Sequence, residues 1–278
     1  MDGTTAVAIY GEMRLPVFSL GTTVLLLALT LPAAAVTGFL FGQRQRARTL
    51  AKGKIIDKVL GETTLGAILG LLGLLLAFSF GHALSLAQTR KVAVIDEAAA
   101  LGTVFLRADY AGEGARTDLK TAIYDYTLTR VVPDVARVES EADVRAFLET
   151  SLAAQAKLWP ATLAATDGVE PPVATFIASA MNDAIDAHLY RMQTFAVPVS
   201  DVTQLMLLAT ALASLFLLGN RAGMQGRVLS WRTFMFSGFL FVVMVTIVDV
   251  QRSSAGFVQT DQSPLLVTIF DMEQALGL

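Results

Sequence analysis

The chain has 278 residues, 54% of them apolar and 16% charged, with a mean hydropathy of +0.58. It has no cysteine and two histidines, His82 and His188, which excludes disulfides, thiolate metal centres and cysteine nucleophiles and leaves no basis for a histidine-rich zinc site. A net charge of −3, with no basic stripe interleaved with aromatics, argues against nucleic acid as a partner.

Four apolar stretches read as transmembrane helices, a bilayer core requiring about 20 residues of helix. They are residues 17–41, 65–86, 202–218 and 233–248. The first holds Pro32 and the small-residue run "LPAAAV", which resembles a signal-peptidase site. Its apolar run is longer than a signal core, and Asp2 and Glu12 precede it against a single base, Arg14. We therefore read it as a retained span.

Orientation follows from the short loops. Residues 42–64 carry Arg44, Arg46, Arg48, Lys52, Lys54 and Lys58 against Asp57 and Glu62, and the loop between the third and fourth spans carries Arg221 and Arg227, with Arg232 at its edge. The excess of Lys and Arg places both loops in the cytoplasm. Both termini and residues 87–198 are then extracytoplasmic. Trp231 and Arg232 supply an interfacial anchor for the fourth span.

The second span, "LGAILGLLGLLLAFSFGHAL", has no formal charge. At about 100° per residue, Gly66, Gly70, Gly73, Ala77 and Gly81 share a narrow arc, with Leu75 and Phe78 on the opposite side. Small-residue stripes let helix backbones approach closely where lipid removes the hydrophobic driving force. The stripe therefore predicts packing against a neighbouring span or a second copy of the chain. Alternatively one face lines a pore, with Leu75 or Phe78 as an apolar constriction. The sequence leaves both readings open, and His82 at the outer end reads as structural or interfacial.

Residues 87–198 carry 15 acidic against 10 basic side chains and show i, i+3/i+4 apolar spacing with almost no alternation. They read as four helices: 88–110, 116–132 stopped by Pro133, 140–158 with Ser140 as candidate N-cap and Asp143 at capping-box spacing, and 171–195. Pro160 is read as the end of the third and Pro198 as the lead into the third span. The fold class is accordingly all-α: a polytopic membrane protein with four transmembrane helices and an inserted extracytoplasmic helical bundle. The divisions are 1–86 (N-terminal tail and first two spans), 87–198 (bundle), 199–250 (last two spans) and 251–278 (extracytoplasmic tail).

Charged and polar residues within this frame are read mainly as partners of one another. Glu97 and Arg107 share a helix but lie three turns apart, so each needs a partner on another helix. Asn182 and Asp186, one turn apart beside Asp183, are read as a buried polar contact or salt bridge, with Arg191 or Arg107 opposite. Two or three oxygens fall far short of a cation cage. Tyr126 and Arg130 read as an i, i+4 packing pair. Asp201, Asp249 and Arg252 fall at the outer boundary of the last two spans, where ionisable groups need partners or water, and Asp249 with Arg252 is expected to tie the tail to the bundle. No nucleophile–base–acid set, GxSxG, P-loop or HExxH occurs, and Ser79 beside His82 lacks a third group to orient it. No enzyme, cofactor or metal centre is expected.

Three segments carry a family likeness. They are "LGAILGLLGLLLAFSF" followed by "RKVAVIDEAAALGTVFLRAD", with Glu97, Gly102, Thr103 and Arg107; "AMNDAIDAHLYR", with Asn182, Asp186 and Arg191; and "DVQRSSAGFVQTDQSPLL", with Asp249, Arg252, Gly256 and Pro264. In these the chain resembles the bacterial bestrophin-like domain family, integral membrane proteins of unknown function. The tail departs from that pattern: Gln251, Ser253, Ser254 and Ala255 stand where the family has a second acid, a proline and basic residues. The resemblance implies a bacterial inner-membrane homo-oligomer, and by analogy with bestrophins an ion channel. An acidic vestibule favours cations and the bestrophin analogy anions, so the inorganic ion is not assigned. A non-conducting sensor or assembly module is the competing expectation.

Overall fold

The computed structural model describes residues 19–56, 59–132, 141–196, 201–252 and 258–278. The expectations at residues 17–18, Asp57, Lys58, Pro133, Ser140, Pro198 and residues 253–256 lie outside these, as do the side chains of Asp143 and Asp201. Among the described residues there are eight α-helices and no strand: α1 (Leu20–Ala51), α2 (Glu62–Arg107), α3 (Glu113–Leu128), α4 (Glu141–Thr166), α5 (Pro171–Ala196), α6 (Asp201–Gln225), α7 (Trp231–Gln251) and α8 (Ser263–Leu276). A 3₁₀ turn, Ala108–Tyr110, follows α2. The chain divides into two units, one comprising residues 17–85 and 199–252 and the other residues 1–16, 86–198 and 253–278.

The first of these units contains the apolar stretches, and among the described residues four helices are long and apolar enough to cross a bilayer. α1 starts where the Ser19 side chain accepts the Thr22 N–H, satisfying one orphan donor of the first turn. It runs through Pro32 and past the predicted end at residue 41, stopping before Gly53 at φ +66°. The third span is also longer than its apolar run predicts, continuing to Gln225. The extra turns hold α1 against α6. A methyl group at Gly38 would strike the Phe216 carbonyl, one at Gly42 the Asn220 carbonyl, one at Gly219 the Ala35 carbonyl and one at Gly223 the Phe39 carbonyl.

Those pairings fix direction. Numbers rise together on both helices, so α1 and α6 run parallel and their C-terminal ends lie side by side. Arg252 at the end of α7 donates to Thr23 near the start of α1 (3.3 Å), and Gln251 accepts from Gln204 near the start of α6 (3.2 Å), so α7 runs antiparallel to both. Glu62, at the start of α2, pairs with Arg221 near the end of α6 at 2.6 Å. The connections after α1 and after α6 therefore lie at one end of this unit.

The second unit gathers the C-terminal part of α2 with α3, α4, α5 and α8 around one apolar core. Val94, Leu101, Phe105, Leu119, Ile123, Tyr126, Leu158, Ile177, Met181, Leu265 and Met272 are all buried in it, each apolar side chain contributing about 1.5–3 kcal/mol. The second span and the first bundle helix form a single 46-residue helix, and Gly81 does not interrupt it. Two expectations are corrected. Pro160 does not end α4. Leu158, Thr162 and Ala165 continue the buried stripe beyond it, and that burial outweighs one lost backbone hydrogen bond until Gly168, at φ +70°, closes the helix. The segment read as a C-terminal tail contains a bundle helix, α8, closed by Gly277 at φ +73°. Among the described residues the bundle thus has five helical contributors where four were expected.

α8 is locked in register by side chains. The Gln262 amide pairs reciprocally with the backbone of Val132, accepting its N–H (2.7 Å) and donating to its carbonyl (3.0 Å). Tyr124 donates to Glu273 at 2.9 Å.

Candidate functional site

Two places concentrate the side chains singled out by sequence, one in each unit. In the bundle the centre is Glu97, fully buried on α2. The apolar stripe of that helix, Val94–Ala98–Leu101–Phe105, carries it inward. Arg130 follows Leu119, Ile123 and Tyr126 on the core face at the end of α3, and His188 and Arg191 follow Ile177, Met181 and Ala184 on α5. Each charged residue thus occupies a core position of an amphipathic helix.

The Arg130 Nε donates to Glu97 Oε1 at 2.7 Å and the Arg191 Nη1 to Glu97 Oε2 at 2.5 Å. Both guanidiniums are essentially inaccessible to solvent. Arg191 Nη1 also donates to the Arg130 carbonyl (3.2 Å) and Ser151 Oγ to the Thr129 carbonyl (3.2 Å), satisfying acceptors left at the end of α3. Beside the pair, the Arg130 guanidinium stands 5.3 Å from the Phe147 ring centre and reaches the Met192 sulfur at 3.6 Å. Arg90, also buried, donates to the Thr194 carbonyl at 3.3 Å and extends the polar set along the α2–α5 contact.

Among the described residues one carboxylate faces two guanidiniums, and His188 lies beside them. Its Nδ1 lies 3.9 Å from Glu97 Oε1. Burial first and the neighbouring Arg130 second push its pKa from 6.5 down to about 3, against the pull of Glu97. His188 is therefore neutral at physiological pH. Burial likewise lowers Arg191, partly offset by Glu97. Buried ion pairs of this kind hold partners in register, and removing one member leaves an uncompensated charge.

The sequence-predicted residues divide around this centre. Glu97 and Arg191 meet in it, and Arg107 does not. Arg107 instead donates to the Phe176 carbonyl (2.9 Å) and Ser179 Oγ (3.3 Å) on α5, with its guanidinium 3.9 Å from the Phe176 ring centre. Asn182 and Asp186 are exposed, on the face of α5 opposite the buried 177–181–184–188–191 stripe, so the expected buried contact is not formed. Arg130, read as a packing partner of Tyr126, has its guanidinium 6.0 Å from that ring centre; its pairing with Glu97, and the places of His188 and Arg90, are what sequence reasoning passed over. Their signal was a charged or polar residue at a helical core position.

Asp249 is buried on α7 within the apolar unit. Its carbonyl accepts the Arg252 N–H at 3.0 Å, while the Arg252 side chain reaches Thr23. Arg252 therefore ties α7 to α1 within that unit, and the expected link from these two residues to the bundle is not seen among the described residues.

The second place is the apolar part of α2. Leu65, Leu72, Leu76, Ala83 and Leu86 form its buried face. Gly66, Gly70, Gly73, Ala77 and Gly81 are exposed and turned about 120° from that face, and a methyl group at any of the four glycines would meet nothing within 4 Å. The close helix contact expected of this stripe is not made among the described residues. It is made by Gly38, Gly42, Gly219 and Gly223, two glycine pairs at four-residue spacing that sequence reading missed. Phe78 is 69% exposed and Leu71 and Leu74 are 53% exposed, whereas Leu75 is half-buried.

A cleft of about 220 Å³ opens on the bundle between α3 and α4, lined by Asp118, Thr121, Ala122, Asp125, Ala154 and Lys157. No known family model, curated protein or solved structure matches the chain.

Proposed function

We propose that the protein is an oligomeric integral membrane protein that forms an ion channel or pore, without enzymatic activity or cofactor. The observation that carries this reading is the outward part of α2. An apolar helix presents an uncovered small-residue face and, beside it, Leu71, Leu74 and Phe78. Small faces of this kind associate helices in lipid. A second copy of the chain fits the glycine face, and the bulky side chains of several copies would then meet around an axis as an apolar constriction.

Sidedness follows from charge. The basic residues after α1 and after α6 favour the cytoplasmic side, which makes the 87–198 bundle and both termini extracytoplasmic and its acidic surface a vestibule. A bacterial inner membrane accords with the likeness of three segments to the bestrophin-like family. The conducted inorganic ion is left unassigned.

The absence of cysteine makes the test clean. In Ala77→Cys, mild oxidation in native membranes should yield a disulfide-linked dimer. The same substitution at Leu76, on the buried face, should yield none. Equal cross-linking at both positions, or at neither, overturns the assignment of the interface.

A second reading is a non-conducting sensor or assembly module. The cleft lined by Asp118, Asp125 and Lys157 favours it, because its size suits a small polar ligand. An intact oligomer that carries no current in a planar bilayer at any voltage would decide for this reading.

A further inference from the structure

Arg46 and Arg227 lie 181 positions apart in sequence, yet the parallel packing of α1 and α6 brings their segments together. Gly42 abuts Asn220, Gly223 abuts Phe39 and Gln43, and the Arg46 guanidinium lies against Gly226. Gly226, at φ +70°, has no side chain to displace that guanidinium. Arg46 Nε is sealed from solvent without a hydrogen-bond partner.

Arg44, Arg48, Lys52, Lys54, Arg227 and Arg232 share this end and are exposed. None of them takes an ion pair among the described residues. Glu62 is held by Arg221 at 2.6 Å. The cations are interleaved with apolar side chains that face outward: Ile55 is 86% exposed, Val228 87% and Trp231 67%. A site for a soluble anion has no use for these. A surface in contact with lipid uses both kinds of side chain, guanidinium for phosphate and apolar groups for the acyl boundary.

We propose that this end of the apolar unit binds the phosphate headgroups of anionic glycerophospholipids, centred on Arg46 and Arg227. The cations converge by the glycine contacts of α1 with α6, so the surface exists whether or not the protein conducts.

The test uses the full chain in detergent, offered equal amounts of dioleoylphosphatidylglycerol and dioleoylphosphatidylcholine, with retained lipid counted by native mass spectrometry. The wild type should retain phosphatidylglycerol preferentially, less so as salt rises. At about fivefold per cation, Arg44→Gln/Arg46→Gln/Arg227→Gln should lose roughly a hundredfold of the preference while its lipid-free melting temperature is unchanged. If the triple variant does not fold, Lys52→Gln/Lys54→Gln, beyond the end of α1, decides instead, with an expected loss of roughly 25-fold. Equal retention of the two lipids by wild type, or an unchanged preference in the deciding variant, overturns the proposal. Displacement of phosphatidylglycerol by millimolar inorganic phosphate also overturns it, since that marks a soluble-anion site.

Discussion

Replacing Glu97 by Gln keeps the volume of the side chain and removes its charge, taking from the buried Arg130 and Arg191 guanidiniums the carboxylate they share. Breaking a buried ion pair in this way costs about 3–5 kcal/mol, which in a chain of this size lowers the melting temperature by roughly 10 °C. A second variant is informative. Arg130→Met keeps the Glu97–Arg191 pair, so its cost should be about 1–3 kcal/mol, set by lost hydrogen bonds and packing. The expected order of melting temperatures is wild type, then Arg130→Met, then Glu97→Gln. Thermal unfolding of the purified full chain, followed by circular dichroism, reads it directly. A Glu97→Gln protein that melts within a degree of wild type, or one that outlasts Arg130→Met, would refute the assignment of Glu97 as the charge that two arginines share.

Three further outcomes follow from the same geometry. His188 is held near 3 against 6.5 unfolded, so the unfolded chain takes up the proton first as pH falls. Stability present above pH 6.5 should decline by about 1.4 kcal/mol per pH unit between 6.5 and 5, and His188→Gln should flatten that slope in denaturation series at the two pH values; an unchanged slope would assign it to another group. Gly219→Ala drives a methyl into the Ala35 carbonyl and should cost about 1–3 kcal/mol, whereas Gly70→Ala, which opens to space within the chain, should leave the isolated protomer unharmed or gain about 0.5–1 kcal/mol while weakening association between copies; melting curves and cross-linking yield separate them. Pro160→Ala restores a donor inside a continuous helix and should raise the melting temperature by several degrees, and a lower one would show that α4 depends on the proline.

The apolar runs made the spans and the helical class legible, because burial in lipid is written into consecutive residues. The bounds of the spans were less so. α1 and α6 extend into charged sequence because the Gly38–Gly42 and Gly219–Gly223 pairs let the two helices approach, and that spacing is quieter than the run of leucine and glycine in α2. Pro160 misled because a local rule was applied where the stripe Leu158–Thr162–Ala165 continued through it. Glu97 stood out as a charge on an apolar face, and its need for partners on other helices was readable. That those partners are Arg130 and Arg191, 33 and 94 residues away, depends on how α2, α3 and α5 pack. Asn182 and Asp186 looked equally promising as a pair, and helical phase placed them on the surface opposite the buried stripe of α5.

If α2 lines a conducting path in an oligomer, as proposed, the purified protein should carry a current in a planar bilayer. Recorded before and after a charged, membrane-impermeant methanethiosulfonate reagent, wild type and Phe78→Cys should both conduct, and only the Phe78→Cys current should fall after the reagent. An intact oligomer that passes no current at any voltage, or a Phe78→Cys current indifferent to the reagent, would contradict the proposal.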